Sequence, residues 1–279
     1  MKSMALMDKV AVVTGGGGIL CSEMGKTLAR EGAKVALIDI HLDAAKREAD
    51  RINDEGGEAI GLYANVLDKE SLEEARQQLL ELFGPCDILI NGAGGNHPKG
   101  TTSRPFFNPE ELPDPAIRSF FDLSAEGIDF VFNLNFMGTF LTTQVFAADM
   151  VGKEDPCIIN ISSMNAFRPL TKIPAYSAAK AAISNFTQWL AVHFAHENIR
   201  VNALAPGFFL TEQNRTLLTQ PDGSYTERGQ TVIEHTPMGR FGTPQDLSST
   251  LLWLCDPGSS FVTGVVVPVD GGFSAFSGV

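Results

Sequence analysis

The chain is short of basic residues: 21 Lys and Arg stand against 33 Asp and Glu, a formal net charge of −12. A surface weighted this way excludes broad electrostatic contact with nucleic acid or an anionic membrane face. Cysteine is scarce as well. Cys21, Cys86, Cys157 and Cys255 form no CxxC pair and no cluster with histidine. They read as free buried thiols of a reducing compartment rather than a disulfide framework or a zinc site. No segment approaches the ~20 apolar residues that span a bilayer. The opening MKSMALMDKV lacks the apolar core of a signal peptide, so the expected location is cytoplasmic. His41, His193, His196 and His235 show no metal-ligand spacing with nearby carboxylates, and no metal is expected. Repeats, low-complexity tracts and linkers are missing too. The composition, 44% hydrophobic and 19% charged, is ordinary for a globular chain.

What is present is a regular alternation. Short apolar runs at 9–14, 34–39, 58–63, 87–91, 157–162, 200–204 and 264–269 read as strands. Helical patterns at 22–31, 42–54, 69–82, 127–151, 175–196 and 244–255 separate them. Near-continuous Val/Ile/Leu strands between helices indicate a parallel sheet covered on both faces. Right-handed crossovers make it doubly wound. The expected fold class is therefore α/β: a single Rossmann-type domain over 1–279 with a seven-stranded parallel sheet.

The first strand runs into four glycines, Gly15, Gly16, Gly17 and Gly18, with a helix close behind. Such a turn lets backbone approach a pyrophosphate, whose charge the helix N-terminus favours. A glycine run alone could be a plain flexible turn; its place between strand and helix points to a nucleotide. Asp39 ends the second strand, 18 residues beyond Cys21, near the ~20 expected of a ribose-binding acid. A carboxylate there accepts from both ribose hydroxyls and repels a 2′-phosphate. Ile40 and His41 supply no arginine for such a phosphate, so NAD is favoured over NADP.

Tyr176 and Lys180 stand at i, i+4 in PAYSAAKAAI, on one face of a helix. An ammonium near a phenol is expected to lower the phenol's pKa and fit it for proton transfer. Such a pair is also common on plain surfaces. Here Ser163 precedes Tyr176 by 13 residues and follows the strand CIINIS, and ligands of doubly wound sheets sit at the carboxyl ends of strands.

Taken in order, these residues resemble the short-chain dehydrogenase/reductase family over nearly the whole chain. The marks are the turn from Thr14, Asp39, NGAG at 91–94, Asn135, Ser163, Tyr176 and Lys180, then Pro206, Gly207 and Thr211, and Gly271–Gly272. The resemblance implies that Tyr176 is the general acid and that Ser163 stabilises the charge developing on the same oxygen. It implies that Lys180 binds the nicotinamide ribose and tunes Tyr176, and that Asn135 holds a water of a proton relay. Gly15, Gly17, Gly18 and Ile19 would lie along the cofactor, with Asn65 and Val66 near adenine. Asn91, Gly92 and Ala93 would line the adenosine side, and Pro206, Gly207 and Thr211 the diphosphate or carboxamide side. A homotetramer paired through 127–151 and 175–196 is implied as well. Two positions depart from the family pattern TGxxxGxG: Ile19 and Cys21 replace its second and third glycines. Because isoleucine resists positive φ, the turn is expected to lean on Gly17 or Gly18. Asn65 also replaces a common Asp.

Residues 156–196 contain no Asp or Glu, where the chain average would place about five. Arg168 and Lys172 lie in this window between Ser163 and Tyr176. Arginine suits a carboxylate, so an anionic substrate is expected; a charge-poor subunit interface would explain the helix but not the loop. The long segment after Asn91, with GGNHPK and five prolines, resembles the D-mannonate oxidoreductase (fructuronate reductase) subgroup. That resemblance implies carboxylate contacts from Arg168, Lys99 or Arg104, and hydroxyl contacts from Asn96, His97 and Asn165. Segments near 95–127 and 212–236 would cover the substrate. Another sugar or polyol dehydrogenase of gluconate type, a 3-oxoacyl thioester reductase and a non-catalytic NAD-binding regulator stand as alternatives.

Overall fold

The computed structural model describes residues 6–278; residues 1–5 and 279 of the expected domain lie outside the described residues. Seven strands form one parallel sheet among the described residues: β1 (Val10–Thr14), β2 (Lys34–Asp39), β3 (Glu58–Tyr63), β4 (Ile88–Asn91), β5 (Cys157–Ile161), β6 (Arg200–Pro206) and β7 (Val266–Val269). Their spatial order is β3-β2-β1-β4-β5-β6-β7. The chain thus winds one way from β1 to β3, then crosses to β4 and winds the other way. The order reverses between β1 and β4, which opens a crevice at their carboxyl ends.

Strand side chains alternate between two cores, as a period of two requires. Ala11, Val13, Leu37, Ile90 and Ile159 face one core with Met24, Leu28 and Leu251. Val10, Val12, Ala36, Ile38, Leu89 and Ile158 face the other with Leu72, Phe146 and Leu190. The first layer is closed by helices α1 (Ile19–Arg30) and α2 (Leu42–Asp54). The second is closed by α3 (Lys69–Leu82). Both faces of the central strands are dry, which is why they read as unbroken apolar runs.

The helix expected over 127–151 is interrupted. It comprises α4 (Ala125–Phe132), a π-helical turn at Asn133–Met137, α5 (Gly138–Phe146) and a short 3₁₀ end at Ala147–Met150. The 20-residue α6 (Pro174–His193) follows the end of β5. The long segment after β4 carries three 3₁₀ turns, at Pro98–Gly100, Pro109–Glu111 and Phe120–Asp122. Segment 212–236 holds α7 (Glu212–Leu218) and α8 (Glu227–Glu234), and α9 (Ser248–Cys255) precedes β7. Among the described residues no helix is long and apolar enough to cross a membrane.

Helix α2 lies directly on β3 because Gly61 has no side chain: a Cβ there would fall 2.6 Å from the Ala45 carbonyl carbon and from Lys46 Cα. Backbone cannot yield as a flexible side chain can. Gly61→Ala is expected to destabilise the fold by roughly 1–3 kcal/mol. A urea midpoint equal to wild type would contradict this packing.

Candidate active site

The crevice is built around one hydroxyl. Thr14 Oγ1, at the end of β1, accepts from the Gly92 and Ala93 amides at 3.1 and 3.2 Å, just past β4. The glycine turn departs from the expectation: among its four glycines only Gly15 has positive φ, at +67°. Gly18 is an extended N-cap (φ −85°, ψ 153°), and Ile19 begins α1 as an ordinary helical residue. Gly17 and Gly18 matter for space instead. A Cβ on Gly17 would meet Ala44 Cβ at 2.7 Å, and one on Gly18 would meet the Gly15 carbonyl at 3.1 Å. The first amides of α1 have no intrahelical acceptor, which makes this end of the crevice an anion-receiving site.

Cysteine at the other departing position is accommodated opposite. A Cβ on Gly92 would overlap the Cys21 sulfur and approach the Thr14 carbonyl to 2.7 Å. Burial pushes the Cys21 thiol up to about 12, so it packs as a neutral group. Asp39 borders the turn, its Oδ2 accepting from the Gly17 amide at 3.0 Å and its Oδ1 from the His41 amide at 2.9 Å. Those bonds aim the carboxylate at the end of the crevice.

Asn65 and Val66 follow β3. The Asn65 side chain accepts from the Leu67 amide at 3.0 Å, and Val66 is buried against Gly138. Asn91 lies behind the crevice rather than in it. Its amide donates to Thr143 Oγ1 at 2.9 Å and to Asn160 Oδ1 at 2.8 Å, and Asn160 donates onward to Thr187 at 2.9 Å. This chain ties β4 and β5 to α5 and α6. Thr14, Thr143, Asn160 and Thr187 were not foreseen as site-building residues; only the fixed place of Thr14 before the glycines could have signalled its part.

At the carboxyl end of β5, Ser163, Tyr176, Lys180 and Asn135 converge. Ser163, whose hydroxyl accepts from the Asn165 amide at 3.2 Å, lies close enough to the Tyr176 phenol to lower its pKa. Lys180 Nζ lies 5.5 Å from the centre of the tyrosine ring and donates to the Ile161 carbonyl at 2.8 Å. A Cβ on Gly94 would touch Asn135 Oδ1 at 2.6 Å and Lys180 Nζ at 3.3 Å, so both face that glycine.

The titration of the pair differs from expectation. Burial pushes the Tyr176 phenol up to about 12, offset in part by Ser163. Burial in turn pushes Lys180 down to about 8. The Asn135 side chain is engaged by backbone groups. Its two amide protons go to the Gly95 and Val131 carbonyls at 2.7 and 2.8 Å, and its oxygen accepts from the Gly95 amide at 3.3 Å. The side chain is a clamp on Gly95, and the π-helical turn carries it there.

The expected substrate residues scatter more. Lys99 pairs with Glu126 at 3.4 Å and Arg104 with Glu111 at 3.4 Å. Arg168 is exposed, and its Nε donates to the Ser274 carbonyl at 3.1 Å, tying down the C-terminal segment. Lys99 and Arg104 are thus paired with carboxylates, whereas Arg168 and Lys172 make no ion pair among the described residues. His97 packs on Phe130, ring centres 4.9 Å apart, and its Nδ1 accepts from the Lys99 amide. The Asn96 amide donates to Thr101 at 3.0 Å. Asn165 is buried beside Ser163, and its side-chain oxygen has no partner among the described residues. Pro206 ends β6. Gly207 lets that strand end approach Asp270, whose Cα would lie 2.6 Å from a Cβ. The Thr211 amide bonds Asn214 Oδ1 at 2.8 Å at the start of α7.

Residues 20–274 match the family described as enoyl-(acyl carrier protein) reductase. An uncharacterised oxidoreductase of Haemophilus influenzae is 55% identical over 98% of this chain and 96% of its own length. An uncharacterised oxidoreductase of Bacillus subtilis, UxuB, is 52% identical over 98% of each chain. A crystal structure of a Haemophilus influenza protein, provisionally assigned as a D-mannonate oxidoreductase and holding bound NAD, superposes with a TM-score of 0.94. It is 54% identical and covers 99% of each chain. The chain belongs to the short-chain dehydrogenase/reductase family, and it is an oxidoreductase of that family.

The depressed Lys180 has a consequence for stability in the ligand-free protein. Between about pH 8 and the ordinary lysine value of 10.5, the unfolded chain binds the proton that the folded chain has released. Stability therefore rises with pH in that window. Relative to Lys180→Met, wild type should gain about 2 kcal/mol between pH 7 and 9.5 in urea titrations. Parallel pH profiles would contradict a buried, destabilised ammonium. Above pH 10 Tyr176 acts oppositely, since its raised value makes the folded form keep a proton that the unfolded form loses.

Proposed function

We propose that the protein is an NAD-dependent enzyme that transfers hydride between the nicotinamide and the carbonyl or hydroxyl carbon of a sugar acid, D-fructuronate and D-mannonate. The observation that carries this reading is the convergence of Ser163, Tyr176 and Lys180 beside a crevice bordered by Asp39. The cradle suits a dinucleotide: Gly17 and Gly18 let the turn pack tightly on Ala44 and the Gly15 carbonyl ahead of the first amides of α1, and the Asp39 carboxylate suits a ribose diol and repels a 2′-phosphate. The high identity to an NAD-bound D-mannonate oxidoreductase candidate supports both the cofactor and the substrate.

When bound, NAD supplies the nicotinamide carbon that takes or gives the hydride. In reduction Tyr176, still protonated at neutral pH, gives its proton to the substrate oxygen as charge grows there. Ser163 hydrogen-bonds the same oxygen and favours the charged arrangement over the ground state. Lys180 supplies positive potential beneath the ring and, under the dinucleotide, a donor for the nicotinamide ribose. Asn135 keeps Gly95 in place, and with it the strap that begins at Gly94. In the oxidative direction the same phenol must accept a proton, which its ligand-free value of about 12 resists; the positive charge of an oxidised nicotinamide nearby would lower that value.

Gly15, Ile19, Asn65, Val66, Gly92 and Ala93 line the cofactor in this reading, with Pro206, Gly207 and Thr211 on its far side. Segments 95–127 and 212–236 cover the substrate, where Asn96, His97 and Asn165 meet its hydroxyls. The enzyme works in the cytoplasm as a homotetramer. Support for the assembly comes from the stacked Phe186, Trp189 and His193 on α6, where Trp189 is 56% and Val192 78% exposed.

The test is oxidation of NADH followed at 340 nm with D-fructuronate, uncharged keto sugars and a 3-oxoacyl thioester. Turnover should favour the keto sugar acid; preference for the thioester would overturn the reading. Tyr176→Phe should lower kcat by about 10³-fold with NADH binding intact. Wild-type turnover in that variant would contradict the proton-transfer role.

A further inference from the structure

With Lys99 and Arg104 paired to carboxylates and Arg168 engaged at Ser274, a different cation meets the requirement for an anion-reading group. Arg118 lies in the long segment after β4, far from every motif in the sequence. Its backbone is held on both sides: the Ser103 amide donates to its carbonyl at 2.8 Å, and its own amide donates to Ser103 Oγ at 2.9 Å. Its side chain is held too. Nη1 donates to the Pro98 carbonyl at 2.7 Å and to the Thr101 carbonyl at 3.3 Å. Nε and Nη2 have no partner among the described residues, and the guanidinium makes no ion pair there. The nearby Asp122 carboxylate accepts from the Ser119 amide and hydroxyl at 2.8 and 2.7 Å, and the Arg118 charge acts on it without an ion-pair contact.

Arg118 lines a cavity of about 240 Å³, together with Arg104 and its partner Glu111. Thr102, Ser119 and Thr171 also line it, the Thr102 hydroxyl donating to the Arg104 carbonyl at 2.9 Å and that of Ser119 to Asp122 at 2.7 Å, and Phe106 and Phe120 form part of its apolar wall. Pro174, the first residue of α6 and two positions before Tyr176, closes one side. The Thr102 amide donates to the Lys172 carbonyl at 2.9 Å, which fastens the cavity to the loop ahead of Tyr176. Gly95, at the other end of the same strap, is clamped by Asn135. One fixed arginine with an open Nε–Nη2 edge, beside hydroxyls, is a carboxylate receptor in its chemistry.

We infer that Arg118 reads the carboxylate of the substrate, and that Thr102, Ser119 and Thr171 accompany it in a recognition subsite built by the inserted segment. The inference rests on the sugar-acid reading above. It adds which residue selects acids over neutral polyols, and it assigns Arg118 a specificity role rather than a part in the hydride step.

The experiment compares wild type, Arg118→Gln and Arg118→Lys, with NAD and either D-mannonate or D-mannitol as substrate. NADH affinity by fluorescence and melting temperature are measured alongside. Loss of a charge-assisted pair should raise KM for D-mannonate roughly 10- to 100-fold in Arg118→Gln. Its kcat, its NADH affinity and its melting temperature should stay near wild type. Arg118→Lys should recover only part of the loss, since an ammonium lacks the fork. Wild-type activity on D-mannonate with an unchanged KM in Arg118→Gln would overturn the assignment and leave the sugar-acid reading standing. A matching loss of NADH affinity would overturn it as well, because the residue would then only hold the strap. Wild type inactive on D-mannonate and D-fructuronate alike would overturn both.

Discussion

A single threonine hydroxyl accepting from two backbone amides joins the halves of this molecule. Thr14 ends β1, and Gly92 and Ala93 follow β4. The sheet order reverses between those strands, so their ends diverge and leave the crevice. Without a fixed bridge there, the glycine turn on one side and the catalytic helix on the other would have no common reference. The bridge also explains the tolerance of cysteine at position 21. With Gly92 held close beneath α1, the space that a glycine at 21 would leave is filled by a thiol, and Gly92 itself must lack a side chain.

From this junction two kinds of polar device extend. Behind the crevice, Asn91, Asn160, Thr143 and Thr187 are linked by hydrogen bonds in the dry interior and hold α5 and α6 against the sheet. In front of it, the reacting groups are deliberately costly: an ammonium buried on one carbonyl and a phenol pushed to about 12. Both shifts come from burial, and both disfavour the charged form. The ligand-free site is thereby biased toward a proton-carrying tyrosine, the state that reduction requires. The π-helical turn at Asn133–Met137 belongs to the same economy, for it breaks a regular helix to bring the Asn135 amide onto Gly95. Such turns recur at functional sites.

The fold was legible in the sequence because its strands are apolar on both faces and its helices are bounded by glycines. The seven strands, their parallel sense and the order of Ser163, Tyr176 and Lys180 follow from pattern and spacing. Three things were not legible, each for a physical reason. The π-helical turn keeps helical composition, so 127–151 reads as one helix. The glycine turn was misjudged because four consecutive glycines conceal which one carries positive φ. That residue is Gly15, and Ile19 sits without strain at a helix start. Finally, charge counting could not tell free cations from paired ones. Arg104 and Lys99 find carboxylates seven and 27 positions away, whereas Arg118, outside the acid-free window, keeps an open edge.

The account stands or falls on direct transfer from the nicotinamide to a sugar acid. NADH carrying deuterium at the transferable nicotinamide position, incubated with D-fructuronate, tests this in one step, with the product examined by mass spectrometry and NMR. The account predicts D-mannonate bearing one deuterium on the newly formed carbinol carbon. Product lacking deuterium, or consumption of D-fructuronate no faster than in the absence of enzyme, would contradict it.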